Sequence, residues 1–192
     1  MRIQTHPMLL LGIFWLIYFF IHSALASLWV KEKVGLLVPG LFPYYRIVYN
    51  LIAILGLLPL LYFSLSQAIE YAIPFHQPVG LLLAFVGLFF LWKAFRAFDM
   101  PAFLGLKPEE NSALVKTGMY AYVRHPLYFA TILVIGGLCL MFPSKGMLMV
   151  LGISYTYILI GSKLEEGKLK KHYGQAYEDY AKEVKALIPY VY

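Results

Sequence analysis

Along this chain the apolar positions come in long, nearly unbroken blocks, not in the alternation of half-buried strands or the stripes of a soluble amphipathic helix. Met8 to Ser27 is the first block and predicts a membrane helix. Behind Arg2, Ala24-Leu25-Ala26 is similar to a signal-peptidase site, but His22-Ser23 interrupts the apolar run before it, so the helix is expected to stay. Lys31-Glu32-Lys33 and the Gly- and Pro-punctuated run to Pro43 predict a loop lying along the interface. Tyr44 to Ser66 predicts a second helix, entered through the interfacial Tyr44-Tyr45-Arg46 and kinked at Pro59. After a short loop holding Glu70 and His76, a third helix is expected from Pro78 to about Phe98, with Lys93 and Arg96 near its end. From Asp99 to Thr117 apolar character falls and prolines recur, which predicts a loop. Pro126 to Met141 and Met147 to Ser162 predict a fourth and fifth helix, joined by the turn Phe142-Pro143-Ser144-Lys145-Gly146. Lys163 to Leu187 is rich in charge and predicts a surface helix, broken at Gly174.

Composition turns these blocks into a fold class. Of 192 residues, 61% are hydrophobic and 14% charged, and mean hydropathy is +0.71. That is more apolar surface than a soluble domain of this length can bury. The expected fold is an all-α integral membrane protein with about five transmembrane helices and a C-terminal amphipathic helix, which the family resemblance given below implies to cover a pocket at the cytoplasmic face. It is read as one membrane domain over 1–192, with a three-helix part at 1–98 and a part bearing the pocket and the helical hairpin at 99–192. Cys139 stands alone in an apolar helix, so no intrachain disulfide forms and the thiol serves as a small packing group.

The net charge of +6 first suggests nucleic acid, but no zinc-finger, helix-turn-helix or RNA-recognition pattern is present, and no nucleic-acid partner is expected. If the first loop, third loop and tail share a side with their flanking helix ends, they hold fourteen of the sixteen Lys and Arg, leaving only Arg2 and Lys145 opposite. The positive-inside rule then places the C-terminus in the cytoplasm and the N-terminus outside, with anionic lipids as partners of the basic face.

Two polar clusters interrupt the apolar pattern. Gly118-x-Tyr120-x-x-x-Arg124-His125-Pro126-x-Tyr128 offers a cation, an imidazole, phenols and a proline-started helix whose first amides face an incoming group. Such parts suit an anionic or zwitterionic ligand, and equally an interfacial anchor. Glu165-Glu166 supplies the opposite charge, which an ammonium or sulfonium requires; as plain structure, two acids would complement a helix start. Because an apolar hairpin joins the clusters, both should return to one membrane face. His22, and Arg46 with Asn50 one helical turn later, are further polar positions inside or beside membrane helices and are functional candidates on that ground. The five histidines are scattered, and no Cys/His spacing suggests a metal.

These residues resemble a known group. Gly118-Met119-Tyr120, Arg124-His125-Pro126-Leu127-Tyr128, Glu165-Glu166, Tyr173-Gly174-Gln175-Ala176-Tyr177-Glu178-Asp179-Tyr180 and Ile188-Pro189 recur in the order seen in the isoprenylcysteine carboxyl methyltransferase and phospholipid methyltransferase superfamily. The resemblance covers roughly Lys107 to Pro189. The first half, with His22-Ser23-Ala24-Leu25-Ala26-Ser27 and Tyr45-Arg46-x-x-Tyr49-Asn50, is more similar to the branch of NnrU-like proteins and bacterial methanethiol S-methyltransferases.

The resemblance implies S-adenosylmethionine as methyl donor, with S-adenosylhomocysteine as product, and a bacterial or archaeal cytoplasmic membrane as location. It implies a donor site built from Lys116, Gly118, Tyr120, Arg124, His125, Pro126, Tyr128, Glu165 and Glu166. Arg124, His125 and nearby amides would face the donor's carboxylate, and Glu165 or Glu166 its ammonium. Arg124 and His125 would also act in catalysis, with Arg46, His22 and Asn50 on the acceptor side. Relatives acting on isoprenylcysteine carry an arginine about one turn before the paired glutamates; Gly161 stands there, so that specificity is not carried over.

Three readings follow. The first is a membrane methyltransferase acting on a small or lipid-soluble acceptor, a thiol or an isoprenylcysteine-like carboxylate. The second is a phospholipid N-methyltransferase, and the third a non-catalytic NnrU-like scaffold or sensor. Displacement at a methyl carbon on positive sulfur needs positioning and exclusion of water, so no metal is expected.

Overall fold

The computed structural model describes residues 7–71, 74–97 and 113–191, without the Leu41 side chain. The described residues are helical apart from short turns and fall into two compact units, one running to Ala68 and one from Ile69 onward.

The first unit holds α1 (Pro7–Ala26), α2 (Leu28–Leu37) and α3 (Tyr45–Leu65), with a 3-10 turn at Pro39–Tyr44. Both long helices are apolar around their whole circumference and keep most large side chains exposed, as a helix facing lipid does. They are joined by a few polar contacts that gain value in hydrocarbon. Trp15 Nε1 donates to Ser64 Oγ at 3.0 Å, and that buried hydroxyl donates to Leu60 O at 2.7 Å. The hydroxyls of Tyr18 and Tyr45 donate to Ala53 O and Leu25 O.

The expected loop after the first helix is instead α2. Ser27 takes an extended backbone and its Oγ accepts from Val30 N at 3.3 Å, capping the new helix, while the hydroxyl donates to Ala24 O of the old one. One residue thus stops α1 and starts α2, and Lys31-Glu32-Lys33 continue the helix as good helix formers.

The second unit holds α4 (His76–Phe95), a 3-10 turn at Gly118–Ala121, α5 (Pro126–Met141), α6 (Lys145–Tyr173) and α7 (Gln175–Glu183). α4 begins and ends slightly earlier than its sequence suggests, after Phe75 at φ 61°. The expected loop at Asp99 to Thr117 lies outside the described residues up to Ser112; 113–117 are irregular. α4 and α5 approach until their backbones touch. A Cβ on Gly137 would stand 2.5 Å from Ala84 N, and one on Gly80 2.6 Å from Gly137 O. Gly80, Ala84 and Gly87 form a small-residue seam facing Ala130 and Gly137, the arrangement that lets apolar helices pack without polar glue.

α5 and α6 form the expected hairpin, turned at Ser144, whose Oγ caps α6 through Met147 N at 3.2 Å. Pro143 O accepts from the amides of Glu70 and Tyr71, and Glu70 pairs with Lys145 at 2.9 Å. The fifth helix does not stop at Ser162. It runs unbroken to Tyr173 because Lys163-Leu164-Glu165-Glu166 are helix formers, and the lone Gly167 costs only about 1 kcal/mol. Glu165 and Glu166 are therefore mid-helix residues, which removes the explanation that they complement a helix start.

Against the expectation of five spans, α1, α4, α6 and the segment Phe42–Leu65 are long and apolar enough to cross a membrane. The 16-residue α5 is apolar but rises only about 24 Å, short of a hydrocarbon core of about 30 Å. The chain is an integral membrane protein of all-α class.

Candidate functional site

The polar stretch before α5 is placed by the C-terminal segment lying on it. Val123 bridges Lys185 in parallel, and the amides of Arg124 and His125 donate to Lys185 O at 2.8 Å and Ala186 O at 3.0 Å. Val123 and Leu187 are buried at this seam. Tyr180 donates its hydroxyl to Tyr120 O at 2.6 Å, and Lys116 Nζ reaches Ala176 O at 3.2 Å while resting over the Tyr180 ring. Gly118 opens the 3-10 turn at φ +63°, a conformation that costs glycine little.

Residues about forty positions apart meet at the centre. Arg124 Nε donates to Glu166 Oε1 at 3.0 Å, and Nη2 contacts the same oxygen. Its Nη1 donates to Ala181 O at 3.1 Å and also to Val184 O. One guanidinium thereby ties α6 and the end of α7 to the start of α5. His125 Nδ1 lies 3.6 Å from Glu165 Oε2, and Nε2 lies 3.4 Å from Glu166 Oε1, off the hydrogen-bonding direction. The imidazole stacks on Tyr128 at 5.4 Å and 24°, and Pro126 occupies the first turn of α5.

Exposure separates the two acids. The Glu166 side chain is 22% exposed and held by Arg124, whereas Glu165 is 46% exposed and, among the described residues, lies near only the His125 imidazole. Burial pushes the His125 pKa below its ordinary value; the two glutamates pull it back up and Arg124 lowers it further. His125 is consequently neutral at pH 7, leaving Glu165 the uncompensated negative charge.

Two polar atoms in this cluster lack a hydrogen-bond partner among the described residues although both are buried: His125 Nε2 and the Tyr177 hydroxyl. Burial, then Glu166, raises the Tyr177 pKa, and the Arg124 guanidinium facing the hydroxyl lowers it in part, so the phenol keeps its proton. Tyr180 is raised to about 12 by burial and Tyr177, and Tyr120 is raised by burial, Glu165 and Tyr180. A buried donor and a buried imidazole nitrogen without partners are what a site retains for a polar ligand. In the same unit, Phe89 and Lys93 of α4 with Gly118, Met119, Ala121 and Tyr122 line an open cavity of about 380 Å³, to which Arg124, His125, Glu165, Glu166 and Tyr177 do not contribute.

Of the residues expected at the site, Lys116, Gly118, Tyr120, Arg124, His125, Pro126, Tyr128, Glu165 and Glu166 all lie in this unit. Position 161 faces it too, since a Cβ there would meet the Tyr128 hydroxyl at 3.7 Å. His22, Arg46 and Asn50 belong to the other unit, where His22 contacts Tyr49. Sequence reasoning gave no role to Tyr177 and Tyr180, though their three-residue spacing on the strongly amphipathic α7 marks one buried face. It also missed the carbonyls of Ala181 and Val184, which no side-chain pattern can reveal.

The sequence model of the phospholipid methyltransferase family matches residues 59–176. Over 72 residues the chain is 38% identical to a methanethiol S-methyltransferase of Crocosphaera subtropica, covering 38% of this chain and 28% of that protein. Over 80 residues it is 36% identical to a methanethiol S-methyltransferase of a Pseudomonas species, strain GM41, covering 42% and 30%. The matched stretch thus spans less than a third of the length of these relatives. No solved structure matches the chain.

Proposed function

Because the chain belongs to the phospholipid methyltransferase family, we propose that it is a membrane methyltransferase using S-adenosylmethionine to methylate a small or lipid-soluble acceptor, a thiol or an isoprenylcysteine-like carboxylate. The observation that carries this reading is the meeting of Arg124-His125 with Glu165-Glu166 through the α5–α6 hairpin, with two buried polar atoms left for a ligand.

The residues fit such a donor. Glu165 is the carboxylate free to meet an ammonium or sulfonium, because Glu166 is already neutralised by Arg124. Arg124 is committed to Glu166 and two carbonyls, so its main task is to position Glu166 and the C-terminal segment. The donor's carboxylate would fall to the Tyr177 hydroxyl, to His125 Nε2 when that nitrogen carries the proton, and to any Arg124 donor that exchanges partner. When bound, the donor supplies a methyl carbon activated by positive sulfur. The protein's work is then orientation, exclusion of water by the strap of residues 175–187, and alignment of the acceptor. A thiol acceptor reacts as thiolate, which a nearby cation favours. Lys93, in the cavity at the Gly118–Tyr122 turn, is the lysine among the described lining residues that could offer that charge.

Lys93 also supports a second reading, methylation of a phospholipid amine, because a lysine in the last turn of a membrane helix sits at phosphate depth. Activity of the protein in nanodiscs on phosphatidylethanolamine against activity on short thiols separates the two. Calorimetry with S-adenosylhomocysteine tests the shared premise: micromolar binding is expected, and no binding in a folded preparation would leave only a scaffold or sensor role.

A further inference from the structure

The end of α4 carries two cations that the donor reading does not use. Lys93 and Arg96 stand about one helical turn apart, both exposed, and neither pairs with a carboxylate among the described residues. Aromatic faces hold them instead. Lys93 Nζ lies 5.6 Å from the Phe89 ring centre and 5.9 Å from that of Trp92, and the Arg96 guanidinium lies 5.2 Å from the same Trp92 ring. A ring face orients a cation without neutralising it. Two like charges therefore remain neighbours on one helix, a repulsion that a bound anion relieves.

The cavity of about 380 Å³ opens beside Lys93, between this helix end and the Gly118–Ala121 turn. Its wall changes character along α4. Lys93 and Tyr122 line it where Trp92 and Tyr122 mark headgroup level, as interfacial aromatics do. Phe89 lies one turn further into the helix, and beyond it Phe85 and Leu82 continue the same stripe with their side chains exposed, a track for an acyl chain. No acid stands among the lining residues. An ammonium headgroup would find no counter-charge there, and the ring faces that would take a choline already carry Lys93 and Arg96. A negative head without an amine meets two cations.

We propose that this notch binds an acidic glycerophospholipid whose headgroup has no amine, held as a resident lipid and not as a substrate. Its phosphate meets Lys93 and Arg96, and one acyl chain follows Phe89, Phe85 and Leu82. The headgroup braces the end of α4 against the turn that leads into Arg124-His125. A single negative charge against two cations leaves the notch positive, so a cation for an acceptor persists. The site rests on neither the donor nor the acceptor reading.

The test places the full chain in nanodiscs of phosphatidylglycerol, phosphatidylethanolamine and phosphatidylcholine in equal parts, transfers it to detergent, and counts the lipid it retains by native mass spectrometry. Retained phosphatidylglycerol is expected in preference to the other two. Lys93→Gln combined with Arg96→Gln should lower that preference about tenfold or more. Lys170→Gln combined with Lys171→Gln, in the last turn of α6, should keep it, whereas a general attraction of acidic lipid to basic surface would fall equally in both pairs. Thermal midpoints report that the variants fold, and the wild-type selectivity is a test without them. Equal retention of the three lipids by wild type, equal preference in the two double variants, or displacement of the retained lipid by millimolar glycerol 3-phosphate would overturn the proposal.

Discussion

The two units of this chain solve the membrane problem differently. In the first, α1 and α3 face outward around their circumference, α2 buries no residue, and a few side-chain hydrogen bonds such as Trp15 to Ser64 fasten the pair. In the second, α4 and α5 touch backbone to backbone through glycines, and the stretch 116–128 is stitched to 166–187 by hydrogen bonds from both main chain and side chains. The family match at 59–176 begins within α3 and takes in most of the second unit. Precision is thus concentrated where charged groups must be held against one another in a low-dielectric setting.

The sharpest way to break this contrast is Arg124→Ala. Its guanidinium, 11% exposed, holds Glu166 and two carbonyls, and removing one partner of a buried pair costs about 3–5 kcal/mol. The segment after Gly174 should become sensitive to limited proteolysis, while α1 to α3 stay protected. Next comes Gly137→Ala, whose new Cβ has no room against Ala84 N; overpacking of this kind costs about 1–3 kcal/mol and should lower the thermal midpoint by several degrees. The comparable change in the first unit is Gly56→Ala, which meets only a tyrosine ring edge and should cost less. Tyr180→Phe removes the bond to Tyr120 O and should cost about 0.5–1.5 kcal/mol, read as faster hydrogen exchange over residues 118–123.

The smallest expected effect is the pH dependence that His125 contributes. His125 has a folded pKa below its ordinary 6.5, so between the two values the unfolded chain binds the extra proton. Its contribution is present in full above about pH 6.5 and is lost as pH falls below it. Thermal scans from pH 7.5 to 5 should therefore show a loss of stability that His125→Asn reduces.

How much of this was legible beforehand follows from what each signal measures. Apolar blocks located α1, α3, α4, α5 and most of α6 because bilayer thickness acts directly on composition. They missed α2, whose start depends on one serine cap, and the run-on of α6, where charge was mistaken for a boundary although nothing in Lys163-Leu164-Glu165-Glu166 stops a helix. The pairing of Arg124-His125 with Glu165-Glu166 was readable because a hairpin returns its ends to one face. That Arg124 spends its donors on Glu166, Ala181 and Val184 was not readable, since carbonyls carry no residue identity. Tyr177 was visible in the motif, but the orphaning of its hydroxyl exists only once α7 is laid over the site.

The central claim concerns Glu165 as the carboxylate that meets the ammonium shared by the methyl donor and its product. It is tested most directly by titrating S-adenosylhomocysteine into wild type and Glu165→Gln in nanodiscs, with thermal unfolding as the control. The account predicts measurable binding to wild type and at least a tenfold loss in Glu165→Gln at unchanged stability. Equal affinity in the two proteins would contradict it.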